Sequence, residues 1–432
     1  MAHTTGPAGF TRQPGATNLG ESRETNALLC DGVPLTAIAN AEGTPVYVYS
    51  AAVLRERYRA IDSAFGNHPH RLHYALKANS TLGLARALRE LGSAADANSI
   101  WEIELARKAG FSPADIVFTG VGKSPPELEC AVPLGLKAIN VESTGELSRV
   151  EAIASRLGLT ARVALRVNPD IDAKSHPHIS TGLKINKFGM PLDDVRGLFR
   201  TIGSRRSLKL VAIHVHIGSQ ITTTEPLARS AALVAGLVKE LVACGTALEY
   251  VDLGGGLGIS YDGNPVPTVE QYVTALVDAV APTGLPIVVE PGRAIVGPSG
   301  ALLARVIDLK PRNAGSQFAV LDAGMAELMR PALYNAYHGV EPVSERSGSK
   351  TQYELVGPIC ESADVVARDR MLTPLEVGDL VAIRDAGAYG SAMASNYNRH
   401  PLPAEVLVDN GQWRVIRRRQ TIDDMTACET ND

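Results

Sequence analysis

The sequence predicts an α/β protein, a TIM-like (β/α)8 barrel joined to a mostly antiparallel C-terminal β domain. Three observations carry this expectation. From Tyr58 onward, short apolar runs that often end in a polar residue or glycine alternate with longer segments that mostly read as helices, the pattern of a parallel sheet with helical crossovers. Eight such runs occur, and over this length they suit a closed barrel better than an open sheet. After about Gly297 the rhythm changes, and strand-like runs follow one another with only short helix signals between them, as in an antiparallel β domain.

Taken in order, residues 1–27 are rich in Gly, Thr, Pro and Asn without periodicity and read as a flexible tail. Residues 28–48 hold two short strand signals and are expected to join the β domain, so that the barrel, residues 49–296, is inserted between two parts of it. The eight barrel runs are 73–77, 94–98, 116–119, 138–141, 163–167, 210–216, 250–253 and 286–289, with amphipathic segments such as 100–109, 144–156 and 225–244 between them. In a barrel of this kind the chemistry sits at the C-terminal ends of the strands. Those ends carry Lys77, Asp96, Glu142, Asn168, His216, Gly254 and Glu290. The β domain, 297–422, shows strand-like runs at 301–309, 318–322, 353–356, 379–383 and 404–408, and residues 423–432 read as a C-terminal tail.

A net charge of -4 gives no support for nucleic-acid or anionic-membrane binding. No apolar run is long enough to span a membrane, and the N-terminus lacks the basic start and apolar core of a signal peptide. Five scattered cysteines show no metal-ligand spacing. The expectation is a soluble cytoplasmic protein of a reducing compartment.

Five stretches point to chemistry. In His73-Tyr74-Ala75-Leu76-Lys77-Ala78-Asn79, read as a strand, Lys77 is either a solvated strand-end lysine or an amine of lowered pKa able to form a Schiff base. Gly254-Gly255-Gly256 follows a strand without GxGxxG spacing. Beyond making a tight turn, three adjacent glycines let backbone N–H groups approach an anion such as a phosphate. Glu290-Pro291-Gly292-Arg293 places a carboxylate at a strand end and an arginine three residues on, a surface pair or, beside a phosphate cradle, an anion-binding guanidinium with Glu290 turned inward. His214 and His216 share one face of the sixth strand. No third ligand of suitable spacing accompanies them, so no metal is expected, and a flat imidazole stacked on an aromatic cofactor, with Ser219 donating to its phosphate, fits better. Cys360 reads as a small buried hydrophobe or, beside Glu361, as an acid.

Together these motifs resemble the fold-type III pyridoxal-phosphate decarboxylases over roughly residues 28–421. Asn168-Pro169-Asp170, the run 181–189 (TGLKINKFG) and Met329-Arg330-Pro331-Ala332-Leu333-Tyr334 are similar to the diaminopimelate decarboxylase branch. The resemblance implies pyridoxal 5′-phosphate as cofactor and Lys77 as its Schiff-base lysine. It implies that His216 stacks on the pyridine ring and that Glu290 holds the pyridine nitrogen protonated. Asp96, Ser219, Gly254, Gly255, Gly256, Gly292, Arg293 and Tyr389 would surround the cofactor, its phosphate or the substrate. Arg293, Arg330, Tyr334, Glu361 and Tyr389 would bind the substrate, and Cys360 would donate the proton. It also implies a homodimer whose subunits share their active sites.

The expected reaction is decarboxylation of meso-2,6-diaminopimelate to L-lysine and CO2, the last step of lysine biosynthesis. A distal arginine suits a substrate with a second amino-acid head and has no use in simple diamine formation. The rivals are a decarboxylase of ornithine, lysine, arginine or a carrier-linked amino acid, and a non-catalytic pyridoxal-phosphate protein. Two departures from the family pattern stand out: His178 where tyrosine is common, and Ile100-Trp101 where two glycines are common.

Overall fold

The computed structural model describes residues 9–14, 26–173, 181–182, 186–312 and 315–430. His178 and most of the run 174–185 lie outside the described residues. The chain divides into two compact units: Arg57–Ile259 with Pro265–Ala294, and a second formed by the flanking segments together with Ser260–Asn264.

The first unit is a closed, all-parallel barrel. Its strands are His70–Ala75, Ala94–Ala97, Ile116–Phe118, Ala138–Val141, Ala161–Val167, Leu208–Val215, Tyr250–Asp252 and Ile287–Val289, each paired with its neighbour in sequence, and the last paired with the first. Ala94–Ala97, Ala138–Val141, Tyr250–Asp252 and Ile287–Val289 are buried along their whole length, which is why they read as continuous apolar runs. Part of the barrel packs through Val117, Ala138, Ala164, Val211, Ala212, Tyr250 and Val288.

The crossover helices begin where the sequence supplies an oxygen for the unpaired first-turn N–H groups. Ser99 accepts from Glu102 N ahead of Ile100–Ala109, and Ser143 accepts from Glu146 N ahead of Thr144–Arg156. Ser124 with Glu127 and Thr268 with Gln271 form capping boxes at Pro125–Ala131 and Val269–Val280. Glu225–Ala243 is the longest helix described, and no described helix is long and apolar enough to cross a membrane.

In the second unit, a nine-stranded sheet runs Val365–Leu372, Thr351–Val356, Ser316–Leu321, Gly300–Pro311, Val46–Ser50, Ala404–Asp409 and Gln412–Arg417, with Leu380–Ile383 and Val340–Pro342 attached off this path. The sheet is mixed. Most pairs are antiparallel, but Val46–Ser50 runs parallel to Ala404–Asp409, and Ser316–Leu321 runs parallel to Thr351–Val356. A smaller sheet joins Phe10–Pro14, Asn26–Cys30, Val33–Pro34 and Ser344–Glu345. Residues 10–14 therefore depart from the expected tail. Phe10 is buried with Leu28, Cys30 and Val33, an apolar contact that anchors the strand Phe10–Pro14. At the other end, the expected tail from 423 starts inside the short helix Ile422–Thr426.

Candidate active site

The first barrel strand ends at Ala75, and Lys77 sits in a single 3₁₀ turn, Leu76–Ala78. The expected run 73–77 thus leaves the strand two residues early, at Ala75, and Lys77 lies just beyond its C-terminal end. Lys77 Nζ is 3.7 Å from Asp96 Oδ2 at the end of the second strand, with Asp96 fully buried. Asn98 Nδ2 donates to the same oxygen at 3.3 Å. Burial, together with the nearby Glu290, pushes the Asp96 carboxyl up.

His216 lies one residue past the sixth strand. The Gly255 N–H donates to its Nδ1 at 3.1 Å. That nitrogen therefore carries the lone pair and Nε2 the proton. Burial, reinforced by Lys77 and Arg166, holds the ring well below its usual pKa, so it is neutral. The glycine loop making this contact admits no side chain. A Cβ on Gly255 would fall 2.3 Å from Glu290 O, and one on Gly254 would fall 2.5 Å from Val215 O; Gly254 also takes φ +64°. Asp252 Oδ1 accepts from Gly254 N at 3.0 Å, and Gly254 O accepts from Glu290 N at 2.8 Å, so the loop is tied to the seventh and eighth strands.

Glu290 is buried at the end of the eighth strand. Neither of its oxygens has a well-formed hydrogen bond among the described residues. Its neighbours are His214 and Asp252, and one ligand atom from each of the three residues lies within 4.8 Å of the others. A partner set for His214 therefore exists, but it comes from adjacent strands rather than from nearby sequence. Burial works against the charge on Glu290, and His214 and Lys77 outweigh it, holding the carboxyl below the usual range; burial and Glu290 push Asp252 well above it. Arg293, also buried, donates through Nη2 to Ser219 Oγ at 3.1 Å. Gly292 is held against Ala78, where a Cβ would approach to 2.8 Å. Glu142 and Asn168 serve the scaffold: Glu142 pairs with Arg166 and accepts from Gly189 N, and Asn168 Nδ2 donates to Phe188 O.

The second unit carries the other candidates. Cys360 is exposed, which removes the reading of a buried hydrophobe, and Asn398 Nδ2 donates to its Sγ at 3.3 Å. The neighbouring Glu361, also exposed, accepts from Tyr397 OH. Tyr389 holds φ +56° between Gly387 and Gly390, a strained backbone for a bulky residue. Arg330 opens the five-residue helix Arg330–Tyr334, which also carries the partly buried Tyr334. The guanidinium of Arg330 meets His338 and Tyr261, residues that sequence reading passed over. Trp101, one of the departures, is 78% exposed and leaves the barrel packing undisturbed.

Residues 51–297 match the family model for the pyridoxal-binding domain of pyridoxal-dependent decarboxylases. A diaminopimelate decarboxylase from Neisseria meningitidis serogroup A is 44% identical over 402 residues, 93% of this chain and 98% of that protein. Among solved structures, diaminopimelate decarboxylase from Helicobacter pylori complexed with L-lysine superposes with a TM-score of 0.88 at 39% identity, covering 91% of this chain and 99% of that one. The M. jannaschii diaminopimelate decarboxylase, also in complex with L-lysine, gives 0.89 at 34% identity over 95% and 98% of the two chains.

Proposed function

The chain belongs to the pyridoxal-dependent diaminopimelate decarboxylases, and we propose from this that it removes CO2 from meso-2,6-diaminopimelate to leave L-lysine, the last step of lysine biosynthesis. The observation that carries the reading is the barrel mouth, where Lys77, a glycine cradle and the buried carboxylate of Glu290 come from the ends of the first, seventh and eighth strands.

The residues present fit pyridoxal 5′-phosphate. Glu290 offers two oxygens without well-formed partners to a protonated ring nitrogen, and Gly254–Gly256 keep a backbone bare of side chains, packed so closely against Val215, Gly218 and Glu290 that any Cβ would collide. When bound, that cofactor supplies the sink for the electron pair left behind as CO2 departs. Lys77 would hold the cofactor through its side-chain amine, the group that the substrate's amine would replace. Glu290, kept ionised, would hold a proton on the cofactor's ring nitrogen. The neutral imidazole of His216, fixed by Gly255, would offer a flat uncharged face to the cofactor. Ser219, Gly254, Gly255, Gly256, Gly292 and Arg293 would hold the phosphate, and Asp96 orients the Lys77 amine. Tyr389 borders phosphate and substrate. Cys360 returns a proton to the carbon that lost CO2. Arg330, Tyr334 and Glu361 take the far amino-acid head, whose two opposite charges call for an arginine and a carboxylate.

The site is shared in a homodimer. Cys360 and Glu361 are both exposed in the single chain, whereas a proton donor to a reactive carbon works best out of water; cover from a partner subunit supplies that. A reducing cytoplasm suits the free cysteines Cys30, Cys130, Cys244, Cys360 and Cys428. Co-expression of Lys77→Ala with Cys360→Ala chains tests the sharing. Each variant alone is expected to be inactive, while the co-expressed pool, about half of it mixed dimers with one intact site each, regains up to about a quarter of wild-type activity. No recovery from demonstrably mixed dimers would rule a shared site out.

A further inference from the structure

Arg330 is buried, and its setting dictates how it points. His338 is fully buried and follows Arg330 by eight residues. Its Nδ1 lies 2.8 Å from Arg384 O. A carbonyl oxygen only accepts, so Nδ1 carries the proton, and in a neutral ring Nε2 is left as an acceptor. Arg330 Nη1 is 2.7 Å from that Nε2, and a guanidinium only donates. Both ring nitrogens are therefore committed, and one tautomer alone satisfies both contacts. A protonated His338 would offer a donor to a donor and set cation against cation. Tyr261 completes the arrangement. Its ring meets His338 edge-on, with centroids 5.3 Å apart at 74°, and the Arg330 guanidinium carbon stands 4.6 Å from its centre. Further charged groups near His338 include Arg384, whose guanidinium pairs with Glu341, and Arg370, which donates to the His338 backbone oxygen.

An imidazole acceptor orients a guanidinium without neutralising it, unlike a carboxylate. The tyrosine face fixes the guanidinium plane and likewise leaves the charge in place. We propose that His338 and Tyr261 are positioning residues for Arg330, holding its guanidinium, still charged, where it takes the distal carboxylate of the substrate. They thereby set the preference for a ligand ending in an amino-acid head over one ending in a plain amine. The inference rests on the role given to Arg330 above.

The test compares two ligands of the cofactor-loaded enzyme by competition: L-lysine, which keeps the distal carboxylate, and 1,5-diaminopentane, which lacks it. Wild type is expected to prefer L-lysine strongly, and Arg330→Ala to lose that preference. If wild type shows no preference, or Arg330→Ala keeps it, the role of Arg330 itself is wrong. Given those two results, His338→Phe should lower the preference roughly tenfold or more, with the diaminopentane affinity within about twofold of wild type. His338→Gln, whose amide can donate to Arg384 O and accept from Arg330, should restore most of it. Tyr261→Leu, at a partly exposed position, should lower the preference about two- to fivefold, and it decides the matter if His338→Phe does not fold. An unchanged preference in His338→Phe and Tyr261→Leu, or an equal loss for both ligands, would overturn the positioning role.

Discussion

His214 Nε2 lies 3.4 Å from Glu290 Oε1, and both side chains are excluded from water. With Asp252 beside them, the cluster contains two carboxyl groups that cannot both ionise cheaply so close together. Glu290 takes the charge and Asp252 the proton. The negative charge is thereby concentrated on the residue assigned to the cofactor's ring nitrogen.

Glu290→Gln keeps the shape and removes that charge. The variant should still bind pyridoxal phosphate, read from its visible absorbance, while kcat falls by roughly two to three orders of magnitude. A kcat within a few-fold of wild type would remove Glu290 from the mechanism.

The glycine loop has no room for a methyl group at Gly255, where a Cβ would sit 2.3 Å from Glu290 O and close to His216. Gly255→Ala is expected to displace the loop at a cost of about 1–3 kcal/mol. Equilibrium titration with pyridoxal phosphate should show about a tenfold or greater loss of affinity. Unchanged affinity would mean that the loop tolerates the shift and does not shape the cradle.

His73, in the first strand, is buried, and burial lowers its pKa from 6.5 to about 3. The unfolded chain binds this proton below about pH 6.5, whereas the folded chain refuses it until about pH 3. The unfolded state therefore holds more protons across this window, and stability is lost as pH falls through it. At pH 5 the loss is about 2 kcal/mol. His73→Phe removes the group, and its acid-unfolding midpoint, followed by circular dichroism, should move to lower pH. A midpoint at or above the wild-type value would place the acid sensitivity elsewhere.

The barrel was legible because most of its parallel strands are buried along most of their length and leave short apolar runs in the sequence, followed by a polar residue or glycine at the C-terminal face. That rule singled out Lys77, Asp96, His216, Gly254 and Glu290 as candidates. What escaped it depends on contacts between distant parts of the chain. Lys77 continues the alternation of its strand, yet the backbone turns into a 3₁₀ step after Ala75. His214 gave no sign that its neighbours would be Asp252 and Glu290, because they arrive from the next two strands. Tyr261 and His338 lie in unremarkable stretches, and only the folded chain sets them against Arg330. Phe10 lies in a stretch whose Gly and Pro content reads as disorder, although its burial anchors the strand Phe10–Pro14.

CO2 release by the purified, cofactor-loaded protein, measured in parallel with meso-diaminopimelate, L-lysine, L-ornithine and L-arginine, tests the central claim most directly. Release from meso-diaminopimelate alone, with L-lysine as product, is the predicted result. Release from one of the other three in its place would contradict the assignment of Arg330 and Glu361 to a distal amino-acid head, and no release from any of them with the cofactor bound would contradict the catalytic reading altogether.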